Sequence, residues 1–75
     1  MKRTPIKCRL LKSIGYDKES KILEIEFLDM EVRDYSDVPE KVHDEIMSTD
    51  RKRLYFLENI KGKYNDVVVK PSKWQ

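Results

Sequence analysis

The sequence predicts a small α+β domain: a three-stranded antiparallel meander followed by two helices, with room for a short C-terminal strand. Three observations carry that prediction. Apolar and polar residues alternate in the stretches between Ile6 and Tyr35. Apolar residues recur at helical spacing between Val38 and Tyr64. The connectors between the alternating stretches are short, which favours antiparallel neighbours over crossovers. With 75 residues the chain makes one domain, core 6–69 and tail 70–75, because neither half alone buries enough surface. Charged residues make up 40% of the chain, yet aromatic and β-branched residues fall in blocks, which argues against disorder.

The first predicted strand, Ile6 to Ile14, sets Ile6, Cys8 and Leu10 against Lys7, Arg9 and Leu11. "YDKESK" then supplies turn residues, with Asp17 and Ser20 able to bond nearby backbone. The second strand, Ile22 to Leu28, directs Leu23, Ile25 and Phe27 to one face and Glu24 and Glu26 to the other. A third, Glu31 to Tyr35, follows a tight connection at Asp29 and Met30. In such a meander Lys7, Arg9 or Lys12 can sit across from Glu24 and Glu26, a pairing worth ~0.2–1 kcal/mol that accounts for the basic N-terminal segment without any ligand.

"SDVPEKVHDEIM" reads as the first helix. Pro39 suits its first position, Ser36 or Asp37 can serve the free amides, and Glu40 complements the positive end of the dipole. Val38, Val42 and Ile46 form the apolar stripe, with Met47 beside it; His43 falls off that stripe beside Asp44 and reads as exposed. After a break at Ser48 to Asp50, a second helix is predicted from about Arg51 to Lys63, capped by Asp50 or Thr49. Its buried line is Phe56, Ile60 and Tyr64, widened by Leu54 and Leu57, and Gly62 lies near its end. Val67 to Val69 form a brief edge strand that Pro71 stops, and Trp74 is either a tail or a lid over the core. The predicted core is Leu10, Ile14, Leu23, Ile25, Phe27, Val38, Val42, Ile46, Phe56, Ile60 and Tyr64.

The net charge of +2 conceals a segregation: +5 over residues 1–16, −8 over 17–50 and +5 over 51–75. Catalytic and metal chemistry find no support. Cys8 is the only cysteine, so neither an intrachain disulfide nor a zinc set can form. No phosphate loop or nucleophile elbow occurs, and the lysines flanking Glu24 and Glu26 make them neutralised partners rather than a catalytic pair. The chain is read as no enzyme, with no small-molecule cofactor. It lacks an apolar leader and any run approaching about 18 apolar residues, so the expectation is a cytoplasmic protein without membrane association.

The remaining signal is "RKR" at Arg51, Lys52 and Arg53. Cations in a first helical turn face the positive end of the dipole and cost ~0.3–1 kcal/mol each. A helix starting at Leu54 would avoid that cost. In either case three cations stand beside Tyr55, whose neighbour Phe56 is the core residue. Charge beside a ring is what single-stranded nucleic acid requires: cations to follow phosphates and a π-face for a base. Lys61 and Lys63 extend the set. Three released counterions predict a log–log salt slope near −2. A protein-binding module, either a phage-type modulator of a host protein or a homodimer, is the competing reading. It would use sheet edges, the acidic residues Asp29, Glu31, Asp34 and Asp37, and Trp74.

"SIGYD", "LEIEF", "DYSDVP" and "YFLENIKGKY" together resemble the KTSC domain, over roughly Ser13 to Tyr64. This short domain occurs at the C-terminus of some lysyl-tRNA synthetases and as small stand-alone proteins. The resemblance extends to Ser13, Ile14, Gly15, Tyr16 and Asp17, to Leu23, Ile25 and Phe27, to Tyr35, Val38 and Pro39, and to Tyr55, Phe56, Asn59, Ile60 and Tyr64. It implies RNA, tRNA or single-stranded, as a partner, by association with a tRNA-charging enzyme. Met30 stands where the family usually turns on glycine. Arg33 replaces the first aromatic of a central Tyr-x-Tyr pair and leaves Tyr35, so Arg33 and Tyr35 join the expected RNA-binding set. Arg51 and Arg53 replace residues that tend to be serine and glycine, and Leu57 replaces asparagine.

Overall fold

The computed structural model describes residues 3–72; Trp74 lies outside them. Seven elements follow one another: β1 (Thr4–Pro5), β2 (Leu11–Asp17), β3 (Ile22–Phe27), β4 (Val32–Tyr35), α1 (Glu40–Ser48), α2 (Lys52–Asn59) and β5 (Asp66–Lys70). The strands form one antiparallel sheet in the order β1-β2-β3-β4-β5. The α+β prediction, its two helices and its short C-terminal strand hold, but the sheet has five strands, with four before the helices rather than three.

The extra N-terminal strand comes from the segment expected to be one long strand, Ile6 to Ile14. Only Leu11 onward joins the ladder. The preceding residues fold back, pairing Thr4 with Ile14 and Pro5 with Ser13, and the Ile6 amide donates to the Lys12 carbonyl at 3.0 Å. The alternation was real as burial: Ile6, Cys8 and Leu10 are half-buried and Lys7 and Arg9 exposed. Periodicity reports which side chains face inward, not where the backbone bonds go. A register shift between Leu11 and Ser13 turns both Leu11 and Ile14 toward the core. Leu11, read as facing outward, is fully buried.

β3 behaves as predicted. Leu23 and Ile25 are buried and Phe27 packs against the core, while on the opposite face Glu24 pairs with Arg3 and Glu26 accepts from Ser13 Oγ at 2.9 Å. Thus Arg3, not Lys7, Arg9 or Lys12, neutralises Glu24. At the β3–β4 turn, Asp29 Oδ1 accepts from the Glu31 amide at 3.0 Å, and Met30 adopts φ +74°. That conformation favours glycine, since a Cβ there crowds the backbone.

Tyr16 Oη donates to the Val38 carbonyl at 2.5 Å and the Val38 amide donates to the Lys21 carbonyl at 2.9 Å, fixing the approach to α1. Pro39 is the N-cap of α1, one place outside its predicted position, and no side chain caps that helix. His43 is half-buried, not exposed, and stacks on Tyr16 at 5.0 Å. The second helix ends at Asn59, four residues before its predicted end, because Gly62 at φ +76° reverses the chain and the Lys61 amide returns to the Phe56 carbonyl. Phe56 meets Phe27 and Tyr35 edge-on, at 5.5 and 5.8 Å between centroids. Tyr35 and Val32, absent from the predicted core, are buried.

Candidate nucleic-acid interface

The basic triplet divides by task. Lys52 Nζ turns back and donates to the carbonyls of Met47 and Thr49, at 3.2 and 2.6 Å. These lie at the C-terminal end of α1, whose last turn has no basic residue of its own. A cation there meets the negative end of the dipole and unbonded carbonyls. The cost of Lys52 in its own helix is thereby offset by the helix before it. Arg51 is the N-cap of α2, its amide donating to Thr49 Oγ1 at 3.1 Å, and no side chain caps the helix. Asp50 therefore does not cap as expected. Arg51 and Arg53 are exposed and, among the described residues, enter no ion pair.

These arginines do not stand alone. A cleft of about 350 Å³ opens between α2 and the folded-back N-terminal segment, and Lys7 and Arg9 line it together with Arg51, Lys52 and Arg53. Asp50 is its single acid, and Cys8 and Leu54 complete the wall. Lys7 and Arg9 are exposed and unpaired among the described residues. Sequence reasoning assigned them to cross-strand neutralisation and so left them out of the site. The signal that could have found them was the charge layout, with basic segments at both ends of an otherwise acidic chain.

Tyr55 is half-buried rather than exposed. Its hydroxyl donates to Glu45 Oε1 at 2.7 Å, and burial first, then that carboxylate, push its pKa up to about 12. It braces α2 against α1 and does not line the basic cleft. Lys61 and Lys63 lie beyond the other end of α2, separated from Arg51 by roughly 12 Å of helix at 1.5 Å per residue.

Lys61 belongs instead to a second cavity, of about 440 Å³, with Arg33 and Tyr35. Leu10, Phe27, Phe56 and Leu57 supply its apolar walls. Arg33 Nε donates to Glu31 at 2.6 Å and Nη1 to Asp66 at 2.5 Å, and both carboxylates raise the guanidinium pKa further. Burial pushes the Tyr35 pKa up to about 12, so the ring stays a neutral phenol. The predicted site residues thus fall into two places, Arg51, Lys52 and Arg53 in one and Arg33, Tyr35 and Lys61 in the other, with Tyr55 and Lys63 in neither.

On the opposite sheet face Asp34 lies directly across from Glu24. Burial and then the Glu24 carboxylate push its pKa up to about 6. Among the described residues no group of three or more acidic, histidine or cysteine side chains is placed to hold a metal, and no helix is long and apolar enough to cross a membrane.

The KTSC domain family model matches residues 9–64. An uncharacterised protein of Stutzerimonas stutzeri is 33% identical over 64 residues, spanning 85% of this chain and 90% of its own length. Among solved structures, a KTSC domain protein from Yersinia pestis superposes with a TM-score of 0.89 at 35% identity, covering 92% of this chain and 97% of that one. The turn at Gly62, the clamp from Tyr16 to Val38 and the Phe56 cluster lie in the matched segment, and the chain belongs to the KTSC domain family.

Proposed function

We propose that this domain is a non-enzymatic RNA-binding module that grips single-stranded RNA, or the single-stranded parts of a tRNA, by its phosphates in the basic cleft. One observation supports this above the others: cations from the two ends of the chain, Lys7 and Arg9 with Arg51 and Arg53, line one cleft with a single acid among them. Converging positive charge held at fixed spacing is what a phosphodiester backbone answers to, and such binding is sequence-tolerant. No aromatic ring lines that cleft, so the grip there is electrostatic. A cytoplasmic setting goes with this reading.

The test is the salt dependence of binding, followed by fluorescence anisotropy with labelled single-stranded RNA and tRNA between about 50 and 200 mM KCl. Four unpaired cations on a single strand predict a log–log slope of about −2.8, steeper than the value of about −2 expected from the triplet alone. Replacing both Arg51 and Arg53 by alanine should bring it to about −1.4. Absence of binding, or a slope indifferent to the double substitution, overturns the proposal.

The protein-binding reading has one observation in its favour: β5 is an edge strand on which Val67, Val68 and Val69 are 63%, 47% and 54% exposed. Val69, however, has no partner in the β4 register, and the resulting bulge disrupts the edge as a template for another strand. A pull-down with and without nuclease separates the two readings, because an RNA-borne partner is lost on digestion.

A further inference from the structure

The apolar cavity and the basic cleft are neighbours. Arg9 lines one and Leu10 the other; likewise Arg53 and Leu57, one turn apart on α2, line the cleft and the cavity. Phosphate-attracting charge and an aromatic-walled cavity therefore lie side by side along α2 and the folded-back segment. We propose that this cavity is a nucleobase subsite: a base of a strand whose phosphates lie in the basic cleft leaves its stack and enters between Leu10, Phe27 and Leu57. This rests on the reading of the cleft as a phosphate track.

The chemistry of the cavity selects that occupant. Its volume of about 440 Å³ lies within the roughly 300–1,000 Å³ of small-ligand sites. The walls are apolar, which suits a ring face. Its charges cancel, Arg33 and Lys61 against Glu31 and Asp66, which suits a neutral ligand better than an anion. The rim nonetheless carries donors and acceptors together. Arg33 uses two of its five N–H groups on Glu31 and Asp66, which leaves three. Lys61 adds donors, and the carboxylates retain oxygens able to accept. A planar neutral heterocycle with both donors and acceptors along its edge is the ligand such a rim fits, and an unstacked base has that form.

The experiment compares a short oligouridylate and a short oligoadenylate with an abasic ribose–phosphate strand of equal phosphate number, each titrated by anisotropy against the full chain. The abasic strand should bind roughly tenfold more weakly than the RNAs, with the same salt slope. Leu57→Glu at the cavity wall should shrink that gap while leaving the slope unchanged. Should Leu57→Glu fail to fold by circular dichroism, Lys61→Glu on the exposed rim takes its place. Equal binding of abasic and base-bearing strands overturns the subsite and leaves the phosphate track standing. A gap undiminished by the cavity variant places the base elsewhere and also overturns it. If no strand binds, the phosphate track fails, and the subsite with it.

Discussion

Lys52→Met separates what the basic triplet does for the fold from what it does for a ligand. In the native chain the ammonium donates to the Met47 and Thr49 carbonyls at the end of α1, from a partly buried position. Hydrogen bonds from a charged group contribute about 1.5–3 kcal/mol, and the dipole about 0.3–1 kcal/mol. Immobilising a lysine side chain opposes them by up to about 2 kcal/mol, which leaves a net contribution of about 1 kcal/mol. Methionine keeps much of the apolar stem and deletes the donor, so the packing part of the side chain is largely preserved. For a domain of this size each kcal/mol moves the midpoint by about 4–8 °C, so Lys52→Met should melt about 4–8 °C lower by circular dichroism. Its salt slope for RNA should equal the wild-type value. Arg51→Ala with Arg53→Ala should do the reverse, holding stability within about 0.5 kcal/mol while halving the slope. An unchanged melting temperature for Lys52→Met would refute the capping role, and a slope reduced by about 0.7 would show that Lys52 contacts phosphate after all.

Met30→Gly should stabilise the chain by about 0.5–1 kcal/mol in urea unfolding, since relief of a strained φ of +74° outweighs glycine's greater freedom when unfolded; a lower midpoint would contradict the assigned turn. Phe56→Ala, removing the ring between Phe27 and Tyr35, should cost ~3–5 kcal/mol and can unfold so small a domain; wild-type melting would mean α2 is misplaced. Asp34 holds its proton up to about pH 6 when folded and releases it near pH 4 when unfolded, so the folded state binds the extra proton between those values and stability falls as pH rises through that window. Asp34→Asn should therefore melt higher than wild type at pH 7.5 and lose that advantage by pH 4, and a pH-independent difference would exclude the titration.

The sequence by itself determined the α+β class, the two helices, the faces of β3 and most of the core, because these follow from local periodicity. "LEIEF" alternates, and Val38, Val42 and Ile46 recur at helical spacing, whatever surrounds them. It also located the triplet, but it ran the second helix through Gly62, where the chain in fact reverses. What tertiary structure decided was every question of partnership. The fold-back that makes β1 depends on the Ile6 amide reaching the Lys12 carbonyl and on Thr4 and Pro5 pairing with Ile14 and Ser13 across a turn, which no periodicity encodes. Lys52 reads as a helix fault until the end of α1 lies beside it. Tyr55 reads as an open ring until Glu45 takes its hydroxyl. Lys7 and Arg9 are separated from Arg51 by some forty residues of chain and become one cleft only when the N-terminal segment packs along α2. Local pattern fixes which side chains turn inward; charges act through space, and the distances between them exist only once the chain has closed on itself.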